Sequence, residues 1–257
     1  MTFIDPSRGA KTMNFAEMRT WTAAWDTYDS AVHGVLRMPT FYPVVRHENW
    51  WGCGVSLTDL RSLAREHGIP VAWVPPPGVL RRLVEADTVH AAKLKILAES
   101  QQEILDLCVE KHAECTDEWL EEEADVAGKA LAAWQDGHLQ AAAALALLGS
   151  EDLMYQVTRV ARAKSYAGLK EAAQKEPDGW FQHAQYTLAP LEPLYTQYWP
   201  KNNDPLPESL SRHAVVHNFP LEHLNEGHSI VAVMLMISIL RECQQRAEEV
   251  RHDMLLA

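Results

Sequence analysis

The sequence has no apolar run long enough to cross a membrane. Its longest mainly apolar runs, residues 139–148 and 230–237, fall well short of the roughly 20 residues that a membrane-spanning helix needs. The N-terminal residues MTFIDPSRGAKTMNF also lack the apolar stretch of a signal peptide. We therefore expect a cytoplasmic protein that has no contact with a membrane.

Paired cysteines are also missing. The four cysteines are scattered and no two have the C-x-x-C spacing, which argues against a zinc ribbon and a disulfide scaffold. No P-loop, G-x-G-x-x-G or G-x-S-x-G pattern occurs, so the sequence disfavours nucleotide hydrolases, dinucleotide enzymes and serine hydrolases. We expect no cofactor and no metal. The cysteines are Cys53, Cys108, Cys115 and Cys243.

Positive charge is scarce, but the excess of acid is local. The chain carries a net charge of −12, of which −10 falls between Glu99 and Asp125, where eleven acidic residues accompany one lysine. The remaining surface is nearly neutral, so it can still hold a basic or histidine-rich site. The acidic residues recur at helical spacing opposite an apolar stripe, which is typical of a solvated face or a docking surface for a basic partner. These residues are Glu99, Glu103, Asp106, Glu110 and Glu114.

From about residue 88 onward the pattern is helical, and it predicts a mainly α protein with a helical bundle over residues 88–257. Residues 229–240 are apolar nearly all round, so we expect that helix to be buried centrally or to lie in a subunit interface. Ser150 and Asn225 are expected to cap helices. The predicted helices cover residues 88–115, 117–136, 138–149 ending at Gly149, 150–175, 180–199 with proline interruptions, 208–217 and a last helix after Asn225.

Residues 1–87 have a different character and predict a small N-terminal α/β region. A helix is expected over residues 14–32, another over 58–66 ending at Gly68, and a third over 78–86 after a proline stop. Between the last two helices, the residues VAWV (71–74) resemble a strand. Because this stretch carries four arginines, it also suggests a DNA-binding helix-turn-helix, although its helices are about ten residues apart rather than three or four. The arginines are Arg61, Arg65, Arg81 and Arg82.

The residues with the strongest indication of chemistry are Arg212, His213 and His217, in the stretch SRHAVVHNF. Small apolar residues separate Arg212 from His217, and a buried helix follows. The i, i+4 spacing of His213 and His217 would also suit a zinc site, with His223 and His228 close behind. No Glu completes an H-E-x-x-H pattern, however, and the neighbouring arginine would repel the metal ion.

The stretch Arg212-His-Ala-Val-Val-His217 resembles the R-x(4–6)-H signature of HEPN domains, which are small helical bundles. The residues around it, RHAVVHN…SIVAVMLMISIL, look like the motif region of HEPN-like proteins of bacterial and phage defence. The resemblance is strongest over residues 205–245. Arg61 and His67 have the same spacing but lack this context.

The resemblance implies a metal-independent endoribonuclease or toxin that acts at a homodimer cleft, in defence or in a toxin–antitoxin pair. His217 would be the general base, Arg212 the stabiliser of negative charge, and His213 a second acid. RNA would be the substrate, and an antitoxin or other protein would be a partner. Two alternatives stay open: a non-catalytic helical interaction module that uses its acidic face, and a DNA-binding regulator that uses residues 58–86.

Overall fold

A long C-terminal helix, α9 (Glu226–Leu256), is the element around which the other helices pack. Every residue from Gly227 to Gln244 is buried, as expected for the run that is apolar nearly all round. The most extensive packing is against α6 (Leu139–Thr158), which in turn packs on α5 (Glu121–Gln135). The prediction of a mainly α, bundle-like fold with a centrally buried last helix is therefore confirmed.

The computed structural model describes residues 47–86, 88–158, 185–218 and 220–256. These residues belong to one compact unit of the chain and share a hydrophobic core. The helix predicted over residues 14–32 and most of the helix predicted over 150–175 lie outside the described ranges. The other helices are α1 (Leu57–His67), α2 (Pro77–Glu85), α3 (His90–Glu99), α4 (Gln101–Ala113), α7 (Leu191–Leu194) and α8 (Arg212–Asn218). Single 3-10 turns cover Glu48–Trp50, Glu118–Leu120, Pro200–Asn202 and Leu221–Leu224.

The expected helix α1 begins after Ser56 and ends at Gly68. The Ser56 hydroxyl oxygen accepts the Asp59 backbone N–H at 3.1 Å, and Gly68 adopts the left-handed conformation that terminates the helix. Pro75 and Pro76 likewise precede α2, which begins at Pro77, one residue before the predicted start. Residues 47–86 share the core with the helices after residue 88, and the division at residue 87 stays a prediction for the chain as a whole.

The strand predicted over residues 71–74 is wrong, and no strand occurs within residues 47–86. This segment is buried and irregular, and Trp73 has a φ of +66°. Its carbonyl groups are satisfied by side chains instead of a second strand. The Val71 oxygen accepts from Asn49 Nδ2 at 3.0 Å and Trp50 Nε1 at 2.6 Å, and the Ala72 oxygen accepts from Ser238 Oγ at 2.8 Å.

Two of the predicted helix boundaries also need correction. The helix predicted over residues 88–115 is broken at Ser100, whose hydroxyl donates to the Ile96 oxygen at 2.6 Å and contacts the Arg82 guanidinium. Conversely, α6 passes without interruption through Gly149 and Ser150. A Cβ on Gly149 would collide with the end of the Met236 side chain, so this glycine allows a close approach of α6 to α9 and does not end a helix.

In the part of the chain that the structure describes, no helix combines the length and the apolar character that a membrane span requires.

The close approach of α9 to α3 depends on Gly227. A Cβ there would lie 2.7 Å from Leu94 Cβ and 2.9 Å from the Leu94 carbonyl oxygen, so Gly227→Ala should lower the free energy of unfolding by about 1–3 kcal/mol. Urea denaturation checks this. Gly78, inside α2, has nothing within 4 Å of the corresponding position and is the matched control. Gly78→Ala should not lower stability, and equal losses in both variants would contradict the packing argument.

Candidate functional site

Helix α8 carries the predicted residues, and its start is fixed by Ser211. The fully buried Ser211 hydroxyl donates to the Thr196 oxygen at 2.9 Å and accepts the Ala214 backbone N–H at 3.2 Å. The Ser211 backbone N–H donates to His223 Nε2 at 2.9 Å. Because Ser211 is the cap, the helix begins at Arg212 and not at residue 208 as predicted. Ala214 and Val215 face the core, which leaves the ionisable residues on the outer sides of the helix.

Arg212 forms an ion pair with Glu151 on α6. The distance between Arg212 Nη2 and Glu151 Oε2 is 2.6 Å, and the two side chains are 21% and 22% exposed. The guanidinium therefore lies near the surface with one of its five N–H donors on a carboxylate. Glu151 holds Arg212 in position, and its negative charge opposes the approach of a phosphate group.

His213 and His217 lie together on the other side of α8. Their ring centroids are 4.8 Å apart, and His213 also packs edge-on against Trp199, with centroids 4.5 Å apart. The Tyr198 backbone N–H donates to His213 Nδ1 at 3.3 Å, so the neutral His213 ring carries its proton on Nε2. His217 is exposed. A partly covered imidazole with a fixed tautomer thus stands next to a solvent-accessible one.

The structure does not bring Arg212 and His217 to one point within a single copy. Five residues apart on an α-helix, they point about 140° away from each other. Arg212 faces α6 and Glu151, whereas His217 faces the side of His213. Within one copy, the guanidinium and the exposed imidazole therefore point to different sides of α8.

Three exposed apolar side chains belong to this helix or to the elements whose residues contact it. Leu148 is 59% exposed and lies one turn before Glu151 on α6, and Val216 is 44% exposed and lies one turn after Arg212. Trp199, the neighbour of His213, is 48% exposed. Exposed apolar groups that cluster around polar ones are typical of protein–protein contact surfaces. We call Leu148, Glu151, Trp199, Arg212, His213, Val216 and His217 the α8 surface.

A second constellation was not predicted: four histidines that converge near the start of α9. The Nδ1 atoms of His67 and His90 are 3.3 Å apart, and so are the Nε2 atoms of His90 and His228. His223 packs against His228 with ring centroids 4.7 Å apart. The sequence indicated a cluster of His213, His217, His223 and His228, but the fold divides it, placing His223 and His228 with two histidines from far earlier in the chain.

Burial lowers the pKa of each of these four histidines. The pKa of His90 falls to about 4, first because of burial and then because His228 and His67 would repel its positive charge. The pKa of His223 also falls to about 4, again mainly because of burial. Burial lowers the pKa of His67 and that of His228 as well. The cluster is therefore neutral at neutral pH.

A cavity of about 280 Å³ lies next to this cluster. It is lined by His90, His223 and His228 together with Asn225, Glu208 and apolar side chains. Among the residues with described positions, no three His, Cys, Asp or Glu side chains converge as a metal site. The zinc interpretation of His213 and His217 therefore gains no third ligand from the described residues.

The arginines of residues 58–86 mostly contact the protein itself. Arg81 donates to the backbone oxygens of Cys53 and Gly52 at 2.8 and 2.6 Å, and Arg82 pairs with Glu103 at 2.7 Å. Arg61 donates to Gln185 at 3.0 Å. These contacts leave fewer guanidinium donors for a DNA backbone than the sequence suggested. DNA binding by this region stays a prediction.

The acidic residues of α3 and α4 behave largely as expected for a solvated face. Glu99, Glu103, Asp106 and Glu110 are exposed. Glu114 is the exception, because it bridges Lys111 and Arg241 at 2.7 Å each. The pKa of Glu114 is lowered: burial would raise it, but the hydrogen bonds from Lys111 and Arg241 outweigh that effect.

No protein-family model, curated protein or solved structure matches this chain.

The lowered pKa values predict that the protein loses stability in mild acid. His90 and His223 titrate near 6.5 when unfolded and near 4 when folded, so between these values the unfolded chain binds more protons. The free energy of unfolding should be highest above pH 6.5 and should fall as the pH drops toward 4. Urea denaturation at pH 7.5 and pH 5 measures this difference.

His223→Gln should reduce this pH dependence, because the glutamine amide oxygen can accept the Ser211 N–H but does not titrate. His138→Gln, at an exposed histidine outside the cluster, is the control and should keep the full dependence. A wild-type protein as stable at pH 5 as at pH 7.5 would contradict the assignment.

Proposed function

We propose that the protein is a cytoplasmic, metal-independent endoribonuclease of the HEPN type that cleaves RNA at a homodimer cleft, as a defence factor or a toxin. The observation that carries the proposal is the placement of Arg212, His213 and His217 together on the accessible helix α8, directly before the buried helix α9. The motif that suggested the resemblance is thus available to a substrate. The defence role and the antitoxin partner rest on the resemblance alone.

The chemistry needs a base, a fixed positive charge and an acid. The exposed His217 imidazole takes the proton of a ribose 2′-hydroxyl, whose oxygen attacks the adjacent phosphorus. Arg212 stabilises the negative charge that builds up on the phosphate oxygens. His213, in its protonated form, gives its Nε2 proton to the departing 5′-oxygen. The products are a 2′,3′-cyclic phosphate and a free 5′-hydroxyl. One P–O bond forms and one breaks, and His217 gains the proton that His213 loses.

A homodimer resolves the geometry that a single copy cannot satisfy. If two copies of α8 face each other, Arg212 of one copy approaches His217 of the other. The exposed apolar residues Leu148, Val216 and Trp199 supply a contact around that seam. The phosphate must then displace Glu151 from Arg212 or use the remaining guanidinium donors.

The ion pair between Arg212 and Glu151 favours a second candidate function. A guanidinium held by a carboxylate and surrounded by exposed apolar side chains is also the arrangement of a protein-interaction surface. In that case the α8 surface would bind a partner protein, and the acidic face of α3 and α4 would be a further docking region. The two functions differ in whether Arg212 and His217 are required for RNA cleavage.

Trans-complementation tests the proposed cleft. Arg212→Ala and His217→Ala should each lower RNA cleavage at least about a hundredfold. When the two variants are co-expressed and form mixed dimers, one of the two clefts in each mixed dimer regains an intact Arg212 and His217. Activity should return to about a quarter of the wild-type value if the subunits pair at random. A fluorogenic RNA assay with metal chelator present measures the rates.

Matched controls are Arg65→Ala and His138→Ala, which alter exposed residues of the same types away from α8 and should keep full activity. Thermal melting shows whether each variant is folded. The ribonuclease proposal would be contradicted if folded single variants cleaved RNA like the wild type, or if the wild type did not cleave RNA. Either result would favour the protein-interaction surface. If each single variant loses activity and the mixed dimers do not regain it, the cleft is not shared between subunits.

A further inference from the structure

His67, His90 and His228 form a continuous row of imidazoles that join through their nitrogens. His67 is the last residue of α1, His90 the first of α3, and His228 the third of α9. At both junctions the facing nitrogens are 3.3 Å apart, while the ring centroids are 5.5 and 5.6 Å apart. The rings therefore meet edge to edge, nitrogen to nitrogen, as in an N–H···N hydrogen bond. Nitrogens that bound one metal ion would instead converge on a common point.

A count of protons fixes the direction of these bonds. His228 Nδ1 lies 2.7 Å from the His223 carbonyl oxygen, which can only accept, and 3.3 Å from Asn225 Nδ2, which can donate to the Glu222 oxygen instead. The shorter contact places the proton of neutral His228 on Nδ1. His228 Nε2 then accepts from His90 Nε2–H, and His90 Nδ1 accepts from His67 Nδ1–H. Three neutral imidazoles have three N–H groups, and these three contacts use all of them. The neutral row is therefore complete.

The inner end of the row is also arranged to take one more proton. His228 Nε2 lies 2.9 Å from the Glu208 carbonyl oxygen, in addition to its contact with His90. Both ring nitrogens of His228 thus face backbone carbonyl groups, and only the doubly protonated ring can donate to both. At the outer end, His67 is partly exposed, whereas His90 and His228 are only 6% and 3% exposed.

We propose that His67, His90 and His228 form a proton relay that carries one proton from the surface at His67 to the cavity beside His228. A proton binds to His67 Nε2, and the Nδ1 proton of His67 passes to His90 Nδ1. The Nε2 proton of His90 then passes to His228 Nε2. His67 and His90 are neutral again, with their protons on Nε2 and Nδ1, and His228 holds the charge. No other reactant is needed.

The charged groups around the row determine where the proton is most stable. Burial opposes a positive charge at His67 most strongly and Lys93 on α3 opposes it too, whereas Glu66 on α1 and Glu208 before α8 favour it. Lys93 and His223 both oppose a charge at His90. The backbone carbonyls of His223 and Glu208 favour the charge at His228, although burial opposes it. Glu222 lines the cavity on the same side. The middle of the row is thus the least favourable position, and both ends are favoured over it.

The relay gives the cavity a chemical role that is independent of the α8 surface. Protonated His228 places a positive charge in the wall of the cavity of about 280 Å³, which also contains His223 and Asn225 as hydrogen-bonding groups. The site therefore fits a small molecule with an electron-rich, proton-accepting atom that the charge on His228 attracts.

Nitrogen NMR of the ¹⁵N-labelled full-length protein tests the relay. At pH 7.5, two-bond ¹H–¹⁵N correlations should show the proton on Nδ1 of His67, Nε2 of His90 and Nδ1 of His228. As the pH is lowered below 6.5, the three rings should change together with one common midpoint. A different proton position on any ring at pH 7.5, or three separate midpoints, would overturn the proposal.

His90→Gln interrupts the row and gives the second measurement. In this variant His67 and His228 should titrate with separate midpoints, since glutamine cannot pass a proton between them. His138→Gln should keep the common midpoint. Circular dichroism at each pH shows that the protein is folded. If His90→Gln does not fold, the proton positions in the wild type at pH 7.5 decide the question alone.

Discussion

The burial of α9 is the constraint on which the rest of the described structure depends. Eighteen consecutive positions, Gly227–Gln244, lie in the interior, and they include charged groups that need partners there. Arg241 donates to Glu114 at 2.7 Å and lies over the Trp73 ring, 4.4 Å from its centroid. Glu242 accepts from Trp73 Nε1 at 2.9 Å and from Thr187 Oγ1 at 3.0 Å. Because a buried charge without a partner is costly, these contacts fix the position of α9 along its axis.

The position of α9 in turn places both candidate sites. Asn225 Oδ1 accepts the His228 backbone N–H at 2.9 Å and sets the start of the helix, which fixes His228 against His90. The turn before α9 contains His223, whose ring accepts the Ser211 N–H at the start of α8. The row of histidines and the α8 surface are therefore connected through two short hydrogen bonds, the one at Ser211 and the one from His228 to the His223 carbonyl.

Features with a local cause could be predicted from the sequence. The cap at Asn225, the end of α1 at Gly68 and the burial of residues 229–240 all depend on neighbouring residues or on a simple periodicity. The failures have distant causes. Gly149 looked like a helix end but makes room for Met236, and residues 71–74 looked like a strand although Asn49, Trp50 and Ser238 satisfy their carbonyl groups.

The candidate sites show the same division. Arg212, His213 and His217 are close in sequence and share one short helix, so their pattern could be recognised. Glu151 is 61 positions from Arg212, and His90 is 138 positions from His228, so no local pattern could associate them. The ion pair that restrains Arg212 and the imidazole row are products of the tertiary fold. Sequence reasoning could find the residues of one site, but not the partners that determine how they act.

Native-state hydrogen exchange tests most directly whether α9 is the element that holds the fold together. If it is, the backbone amides of residues 230–240 exchange only when the whole protein unfolds, with a free energy equal to that from urea denaturation. They would then be the slowest amides among the helices described here. If these amides exchanged with a lower opening free energy than the amides of α5 or α6, α9 would not be the element that holds the fold together.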